Sequence, residues 1–330
     1  MRHSISSSIV KNRICYISGA IVLIALFLLS LTVGKYPLSL QELIDGNAMQ
    51  WKVFTTLRLS RAIVGVIGGF ALGVAGFVYQ TIFRNPLASP DIIGVSSGAS
   101  AGAAVGILLG AGSQIVTASS FVGAILAVAL AILFSSIDKG GHKSTVVLAG
   151  IAVHSLAQTV LMCLKLTADP EKELASIEYW IMGSLNGINS HIIGGNLVIC
   201  VICILVLSLL HRQMLLLSMD ENEASMLGTN VLKLRLLLLV LSTVVVACIV
   251  SLTGLISFIG LLAPHCARKI TGDNKLGTLV LCGLVGGCLL TGADILARSV
   301  AATELPVSIF TSLLGAPFLV LLIFKGRKNL

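Results

Sequence analysis

The side chains of this chain that could do chemistry are few, and most of them lie near the ends of long apolar stretches. Asp294 and Arg298 are four residues apart, a spacing that pairs an acid with a base on one helix face. Lys165 also lies near the end of an apolar stretch, whereas His154 is the one ionisable side chain well inside one. Ionisable groups inside a membrane mark ion and proton pathways, but a lone histidine there more often bonds to a neighbouring helix. No ladder of carboxylates crosses the apolar stretches, which argues against a mechanism driven by protons or sodium.

Motifs for catalysis, nucleotide binding and metal binding are missing from the sequence. It contains no HExxH and no GxSxG, and the segment 140–145 lacks the glycine that precedes the lysine of a phosphate-binding loop. Cys200 and Cys203 have CxxC spacing, but they lie inside an apolar stretch without other ligands nearby, where cysteine acts as a small hydrophobe. We therefore predict no catalytic residue, no metal site and no cofactor bound by this chain. If transport uses ATP, another polypeptide must hydrolyse it.

Ten apolar stretches hold these residues, and 56% of the chain is hydrophobic while only 11% is charged. A bilayer core of about 30 Å needs about 20 helical residues, and continuously apolar runs favour helices over the alternating strands of a barrel. The sequence predicts an all-α polytopic membrane protein with about ten transmembrane helices, forming one transmembrane domain over residues 1–330. The predicted spans are Ile14–Val33, Ala62–Phe83, Ile92–Ala111, Ile115–Ile137, Val146–Leu166, Ile192–Leu210, Leu232–Leu252, a short Gly254–Ala267 containing Pro264, Leu276–Ile295 and Val307–Phe324.

The basic residues predict the orientation of this domain. With a cytosolic N-terminus, 15 of the 22 Lys and Arg residues fall on the cytosolic side of the ten spans. This positive-inside bias places both termini in the cytosol. The net charge of +8 is then a determinant of topology and implies no nucleic acid.

Glycines recur at every fourth position in the second and third predicted spans. Each glycine inside a helix costs about 0.5–1 kcal/mol relative to alanine, so such a ridge is expected where helix backbones approach each other closely. We interpret the ridges as helix packing rather than substrate contact. The predicted packing positions are Gly65, Gly69, Gly73, Gly94, Gly98, Gly102 and Gly106, and the spacing continues to Gly110.

Four segments carry a recognisable pattern. Arg84–Ala99 (RNPLASPDIIGVSSGA) resembles the cytosolic loop of the iron-siderophore and vitamin B12 permease subunits of ABC importers. Trp180–Leu185, Gly254–Arg268 and Glu304–Pro317 resemble the same family, in the same order. The likeness covers nearly the whole chain.

The resemblance implies a ten-helix subunit that works with several partners. These are a second permease subunit, identical or related, across a translocation path, two cytosolic ATPase subunits that use ATP, and an external substrate-binding protein. It also implies a location in the cytoplasmic (inner) membrane. The substrate expected from it is an iron(III)-siderophore or a related ferric chelate, with vitamin B12 or haem as alternatives. An ion-coupled secondary transporter and an intramembrane enzyme are the candidate functions from other classes.

Three arginines match the positions that contact the binding protein in this family. Arg58 and Arg61 lie just outside the second span and Arg298 lies at the outer end of the ninth, on the side that the positive-inside bias depletes. The resemblance implies that they face acidic residues of the binding protein. The alternative is a contact with lipid headgroups or, for Arg298, an intrahelical pair. The family's usual proline is Ser60 here.

Two cytosolic segments complete the expectations from the resemblance. Residues 218–230 resemble the segment that couples the permease to its ATPases, with Asp220 and Glu221 suited to a helix start and Gly228 to its stop. The alternative is an ordinary solvated turn. The coupling positions are Asp220, Glu221, Ala224, Leu227 and Gly228. Ser144 and Thr145, at the entrance to the fifth span, are expected at a narrow cytosolic gate or, equally, as a plain N-cap.

Overall fold

The computed structural model describes residues 2–34, 36–137, 143–219, 221–272 and 276–327, and over these ranges the chain is helical without β-strands. Ten main helices follow the ten apolar stretches in order, so the predicted all-α membrane fold is confirmed. They are α1 (Arg2–Thr32), α2 (Ser60–Phe83), α3 (Val95–Leu108), α4 (Ser113–Ser135), α5 (Lys143–Thr167), α6 (Ser190–Leu209), α7 (Val231–Thr253), α8 (Ile259–Thr271), α9 (Leu276–Ser299) and α10 (Val307–Arg327).

Shorter helical segments connect the main helices. They are Leu40–Ile44, Ala48–Val53 and the π-helix Phe54–Leu59 before α2, the 3₁₀ turn Pro90–Ile93 before α3, the π-helix Pro170–Leu174 and Ala175–Ile181 before α6, and His211–Leu216 and Glu221–Met226 before α7. Seven helices of the described part are long and apolar enough to cross a membrane, and α3 and α10 contribute shorter apolar segments.

The third predicted span is shorter than expected. Its helix begins at Val95 instead of Ile92, because Pro90 opens a separate 3₁₀ turn and Gly94 has φ 81°. Proline favours the first position of such a turn, and the left-handed backbone of Gly94 stops it before α3 begins. The glycine ridge is corrected accordingly: Gly94 caps α3 and Gly110 (φ 61°) lies beyond its end, so neither belongs to the helical ridge.

The eighth predicted span is only partly helical. Residues 254–258 form no helix, Gly254 and Phe258 have φ 70° and 67°, and α8 begins at Ile259. A 13-residue helix is about 20 Å long, too short for a 30 Å core. The non-helical residues before it lie among protein groups, because the Leu255 carbonyl accepts a hydrogen bond from Ser308 at 2.6 Å.

Helix α2 lies at the centre of the bundle, against α7, α8 and α9. Its glycines lie where backbones meet: a methyl group at Gly69 would overlap the Gly286 carbonyl of α9, and one at Gly76 would overlap the Gly260 carbonyl of α8. Pro264 lacks the N–H that would bond to Gly260 four residues earlier, and the carbonyl of Gly260 instead faces α2. Small residues thus bring α2 and α8 into backbone contact.

Helices α3 and α4 meet in the same manner. Methyl groups at Gly98 and Gly102 would overlap backbone atoms of Gly123 and Ser119 on α4, and one at Gly106 would overlap the Ser119 side chain. The two glycine ridges therefore lie against different partners, α9 for the ridge of α2 and α4 for the ridge of α3.

Candidate functional site

Five charged residues meet where α1 and α9 end and α2 begins, on the outer side assigned by the basic residues. We call Arg58, Arg61, Asp294, Arg298 and Glu304 the outer ionic cluster. Nitrogens of the Arg61 guanidinium lie 2.8 Å from Asp294 and 2.8 Å from Glu304. Nη2 of Arg298 lies 2.8 Å from the other carboxylate oxygen of Asp294. The two groups form an ion pair, but their geometry is not that of a hydrogen bond. Both carboxylate oxygens of the buried Asp294 are therefore neutralised by arginine.

The same arginines hold the end of α1. Arg298 donates to the Ser30 hydroxyl at 2.7 Å and to the Val33 carbonyl at 2.8 Å. Arg58 lies in the π-helix that precedes α2, and it donates to the carbonyls of Val33 and, at 2.8 Å, Tyr36. Backbone carbonyls at a helix end have no partner within the helix, so these guanidiniums satisfy them. The cluster therefore joins α1, α2 and α9 at one end of the bundle.

The outer ionic cluster carries one excess positive charge, because three arginines face two carboxylates. Among the described residues, Arg58 contacts backbone carbonyls and no carboxylate. A small cavity of about 150 Å³ adjoins the cluster and is lined by all three arginines and by Glu304. The Glu304 side chain is 17% exposed, compared with 9% for Arg61 and 0% for Asp294. Glu304 is thus the carboxylate of the cluster closest to the outer solution.

The three arginines predicted to contact a binding protein are buried in the isolated subunit. Counted over the whole residue, Arg58, Arg61 and Arg298 are 6%, 8% and 5% exposed, and the contacts described above lie within the chain. The intrahelical pair of Asp294 and Arg298, the structural alternative for these residues, is present. Docking of a binding protein stays a prediction for Arg58, Arg61 and Arg298.

Lys165 and His154, the two other ionisable residues singled out in the sequence, lie apart from this cluster. Lys165 forms an ion pair with Glu178 at 2.9 Å, and both side chains are partly exposed. Nδ1 of His154 is buried and has no hydrogen-bond partner among the described residues. The expected hydrogen bond from His154 to a neighbouring helix is therefore not observed at this nitrogen.

The predicted coupling segment contains a short helix, Glu221–Met226, with Ala224 buried and Leu227 61% exposed. Gly228 follows with φ 78°, a left-handed conformation that commonly ends helices. Asp220 and the side chain of Glu221 lie outside the described part of the chain. A role in coupling stays a prediction for Asp220, Glu221, Ala224, Leu227 and Gly228.

An arginine that sequence reasoning did not select links α2 to the beginning of this segment. Arg84 has φ 48° at the end of α2, and its Nε donates to the carbonyl of Leu217 at 2.9 Å. One turn earlier, Gln80 accepts a hydrogen bond from Arg268 of α8. The cytosolic ends of α2 and α8 are therefore connected to each other and to the segment after α6. The sequence signal that could have pointed to Arg84 is its position as the first residue of the family-like loop Arg84–Ala99.

Helix α5 begins at Lys143, so Ser144 and Thr145 lie within its first turn instead of preceding it. This corrects the N-cap alternative, because an N-cap residue precedes the first helical turn. The gate role of Ser144 and Thr145 stays a prediction.

The described residues contain no group of three or more His, Cys, Asp and Glu side chains that could hold a metal ion. All eight cysteines are free thiols. Cys200 and Cys203 are buried on α6, as expected for small hydrophobic residues in a helical bundle.

A bundle of long apolar helices with glycine-lined contacts is the architecture of a multi-pass membrane protein. A sequence profile of the FecCD transport family matches residues 22–325. The chain belongs to this family and is the membrane component of an ABC transporter.

Relatives of known function share most of their length with this chain. The hemin transport system permease protein HmuU of Yersinia pestis is 36% identical over 320 residues, which cover 94% of this chain and 95% of that protein. The molybdate import system permease protein MolB of Haemophilus influenzae is 33% identical over 319 residues, with the same coverage of 94% and 95%.

A solved structure has the same fold. It is described as an inward-facing conformation of an ABC transporter of the metal-chelate type, and it superposes with a TM-score of 0.84 at 32% identity, covering 95% of this chain and 99% of that one.

Proposed function

We propose that this permease forms the translocation path of an ATP-driven importer for an iron(III)-siderophore or a related ferric chelate. The observation that carries the proposal is the likeness along nearly the whole chain to a structure of the metal-chelate type and to a hemin permease. A chelated metal arrives already coordinated, so the path needs no metal ligands of its own.

We propose that energy comes from two separate cytosolic ATPase subunits that bind and hydrolyse ATP. Closure of these subunits would move the coupling segment 218–230, and the path would then open toward one side of the membrane and next toward the other. The adjacent Met226 and Leu227, which are 87% and 61% exposed, support this assignment because together they offer an apolar contact to a partner surface. The link from Arg84 to Leu217 supports it as well, because it joins α2 to the residues that lead into the segment.

We propose that an external substrate-binding protein docks over the outer ionic cluster. The excess positive charge of the cluster favours an acidic partner surface, and charge pairs of this kind mainly set the orientation and rate of encounter. Because the arginines are buried, docking requires that carboxylates of the partner approach Arg58 through the small cavity or replace Glu304 at Arg61. A second permease subunit, identical or related, and a location in the cytoplasmic membrane belong to the same proposal.

Reconstituted uptake tests the proposed function. The permease is placed in proteoliposomes with its ATPase subunits and binding protein, and accumulation of ⁵⁵Fe supplied as a ferric chelate is measured with and without enclosed ATP. We expect uptake that requires ATP and all components and does not respond to ion gradients. Uptake driven by a proton or sodium gradient, without ATP, would instead establish a secondary transporter.

The cargo is tested with the same vesicles. Hemin, vitamin B12 and molybdate compete against the ⁵⁵Fe chelate, molybdate being included because MolB is named for its import. We expect ferric chelates to be accumulated and molybdate to leave their uptake unchanged. Accumulation of ⁹⁹Mo-molybdate without ⁵⁵Fe uptake would contradict the ferric assignment while leaving the ATP-driven mechanism intact.

A further inference from the structure

A cavity of about 750 Å³ lies at the outer ends of several helices within this one chain. Its walls come from the end of α3, the start of α4, the segments 170–181 and 184–192, and the end of α7. We call this space the outer cavity. Its volume falls within the range of about 300 to 1,000 Å³ that is typical of small-molecule sites.

Two aromatic residues of the short helix Ala175–Ile181 form one wall of the outer cavity. Tyr179 is 42% exposed, and its hydroxyl donates to Ser184 at 3.3 Å, which holds the ring in place. Trp180 is half-buried, and its carbonyl accepts from the N–H of Gly183 at 3.1 Å. Aromatic side chains favour offset or edge-to-face contact with other rings. This wall therefore favours ligands that carry aromatic groups.

The polar groups on the floor of the outer cavity are already paired within the chain. The Ser251 hydroxyl donates to the Cys248 carbonyl at 3.1 Å and accepts from Asn196 at 3.0 Å. The Thr253 hydroxyl donates to the Ile249 carbonyl at 2.9 Å. Because these hydroxyl protons are used internally, the floor offers few strong hydrogen bonds to a ligand. The cavity can hold a ligand by shape and ring contact without binding it tightly.

The rim of the outer cavity carries opposite charges side by side. Glu171 and Lys172 are both exposed and both line it. Their charges cancel, so the rim does not select a ligand by net charge. Selectivity then depends on apolar contact, to which Tyr179 and Trp180 contribute the aromatic surface.

We propose that the outer cavity is a transit site where the imported chelate first contacts the permease, and that it favours chelates whose metal-binding groups are aromatic, such as ferric tris-catecholates. The proposal rests on the importer function proposed above, and it assigns the contact to residues of a single subunit. Weak polar anchoring suits transit, since a ligand that is held tightly leaves slowly.

The two tryptophans of the chain provide the test. In a Trp51→Phe variant, Trp180 is the sole tryptophan. The Trp51 indole donates to the Leu43 carbonyl at 2.8 Å and does not line the outer cavity, so Trp180→Phe is the matched control. The full chain is placed in lipid nanodiscs and titrated with a gallium(III) tris-catecholate, which has the charge and shape of the ferric complex without its iron absorption.

We expect saturable quenching of Trp180 in the Trp51→Phe variant, and only a linear inner-filter loss in the Trp180→Phe control. An added Ala175→Phe substitution places a ring in the outer cavity. We expect it to raise the chelate concentration that gives half-maximal quenching at least several-fold. Circular dichroism confirms that all variants keep the same helicity. Identical linear losses in both tryptophan variants would overturn the transit site.

A gallium trihydroxamate without aromatic rings tests the selectivity, and we expect it to quench Trp180 at higher concentrations than the catecholate. Equal quenching by the two chelates would overturn the aromatic preference.

The same variants are assayed for ATP-dependent ⁵⁵Fe uptake. Normal uptake without quenching of Trp180 would reject the transit site and leave the importer function intact. If the unaltered transporter shows no ATP-dependent uptake, the importer function itself is rejected.

Discussion

Arg61, at the start of α2, donates from Nε to Asp294 of α9 at 2.9 Å, although the two residues are 233 positions apart in the chain. Glu304 approaches the same guanidinium from the segment before α10. Breaking a buried ion pair by removing one partner is costly, because it leaves the other charge without compensation. The contacts of Arg61 with Asp294 and Glu304 thus join three parts of the chain at the outer end of the bundle.

Asp294→Asn should destabilise the permease strongly, because it leaves Arg61 and Arg298 without their shared buried carboxylate. The expected loss is about 3 to 5 kcal/mol in the free energy of unfolding, measured by denaturant titration in mixed micelles. Glu178→Gln is the control, because its pair with Lys165 is partly exposed and such pairs contribute about 0 to 1 kcal/mol. Similar small losses in both variants would show that the outer ionic cluster does not hold the bundle together.

Glu304→Gln should strengthen docking of an acidic binding protein. The substitution raises the excess charge of the outer ionic cluster from one to two and removes the negative charge that pairs with one side of Arg61. We expect a several-fold faster association at low salt that declines as salt is added, because charge complementarity acts mainly on the encounter rate. Surface plasmon resonance on nanodisc-bound permease measures this rate.

Reversal of Arg58 and Arg61 to Glu should act in the opposite direction and lower both affinity and uptake. The stability of this double variant is measured in parallel, because both arginines are buried. Unchanged affinity at low salt in a folded double variant would reject the docking role.

Gly228→Val should uncouple ATP hydrolysis from transport. Gly228 has φ 78°, and a β-branched residue there costs about 1 to 3 kcal/mol, which would displace the coupling segment. Gly228→Asn is the matched control, because asparagine adopts this conformation far more readily. We expect ATPase activity with reduced ⁵⁵Fe uptake in proteoliposomes for the valine variant and near-normal coupling for the asparagine variant. Tight coupling in both would contradict the assignment.

A bulky side chain at Ala224 tests the same segment from its buried face. Ala224 is 0% exposed, so Ala224→Trp cannot be accommodated without moving the short helix. We expect the ratio of ATP hydrolysed to chelate transported to rise. A ratio equal to that of the unaltered transporter would show that the position of this helix does not matter for coupling.

Gly69→Ala should destabilise the bundle, because the added methyl group overlaps the Gly286 backbone of α9 and neither helix can move aside without disturbing its other contacts. Gly194→Ala on α6 is the control, since nothing lies within 4 Å of the new methyl group and alanine is the better helix former. We expect a lower thermal midpoint for the first variant and an equal or higher one for the second. Equal midpoints in both would indicate that α2 and α9 have room to separate.

The extent to which the site could be predicted differs from residue to residue. The pairing of Asp294 with Arg298 follows from their spacing and is present. The contact of Arg61 with Asp294 has no local signal, because neither residue is near the other in the chain. Arg84 was visible as part of a family-like loop, but its bond to Leu217 depends on where the segment after α6 lies.

The sequence by itself determined the helical membrane fold, the order of the ten apolar segments and the family. These depend on local composition and on short motifs, and a bilayer leaves helices as the favoured form for long apolar runs. Tertiary structure decided where the non-helical residues before α8 lie, which helices the glycine ridges contact, and that the outer arginines are buried in an ionic cluster. Each of these depends on contacts between residues distant in sequence, whose energies arise only when the helices pack together.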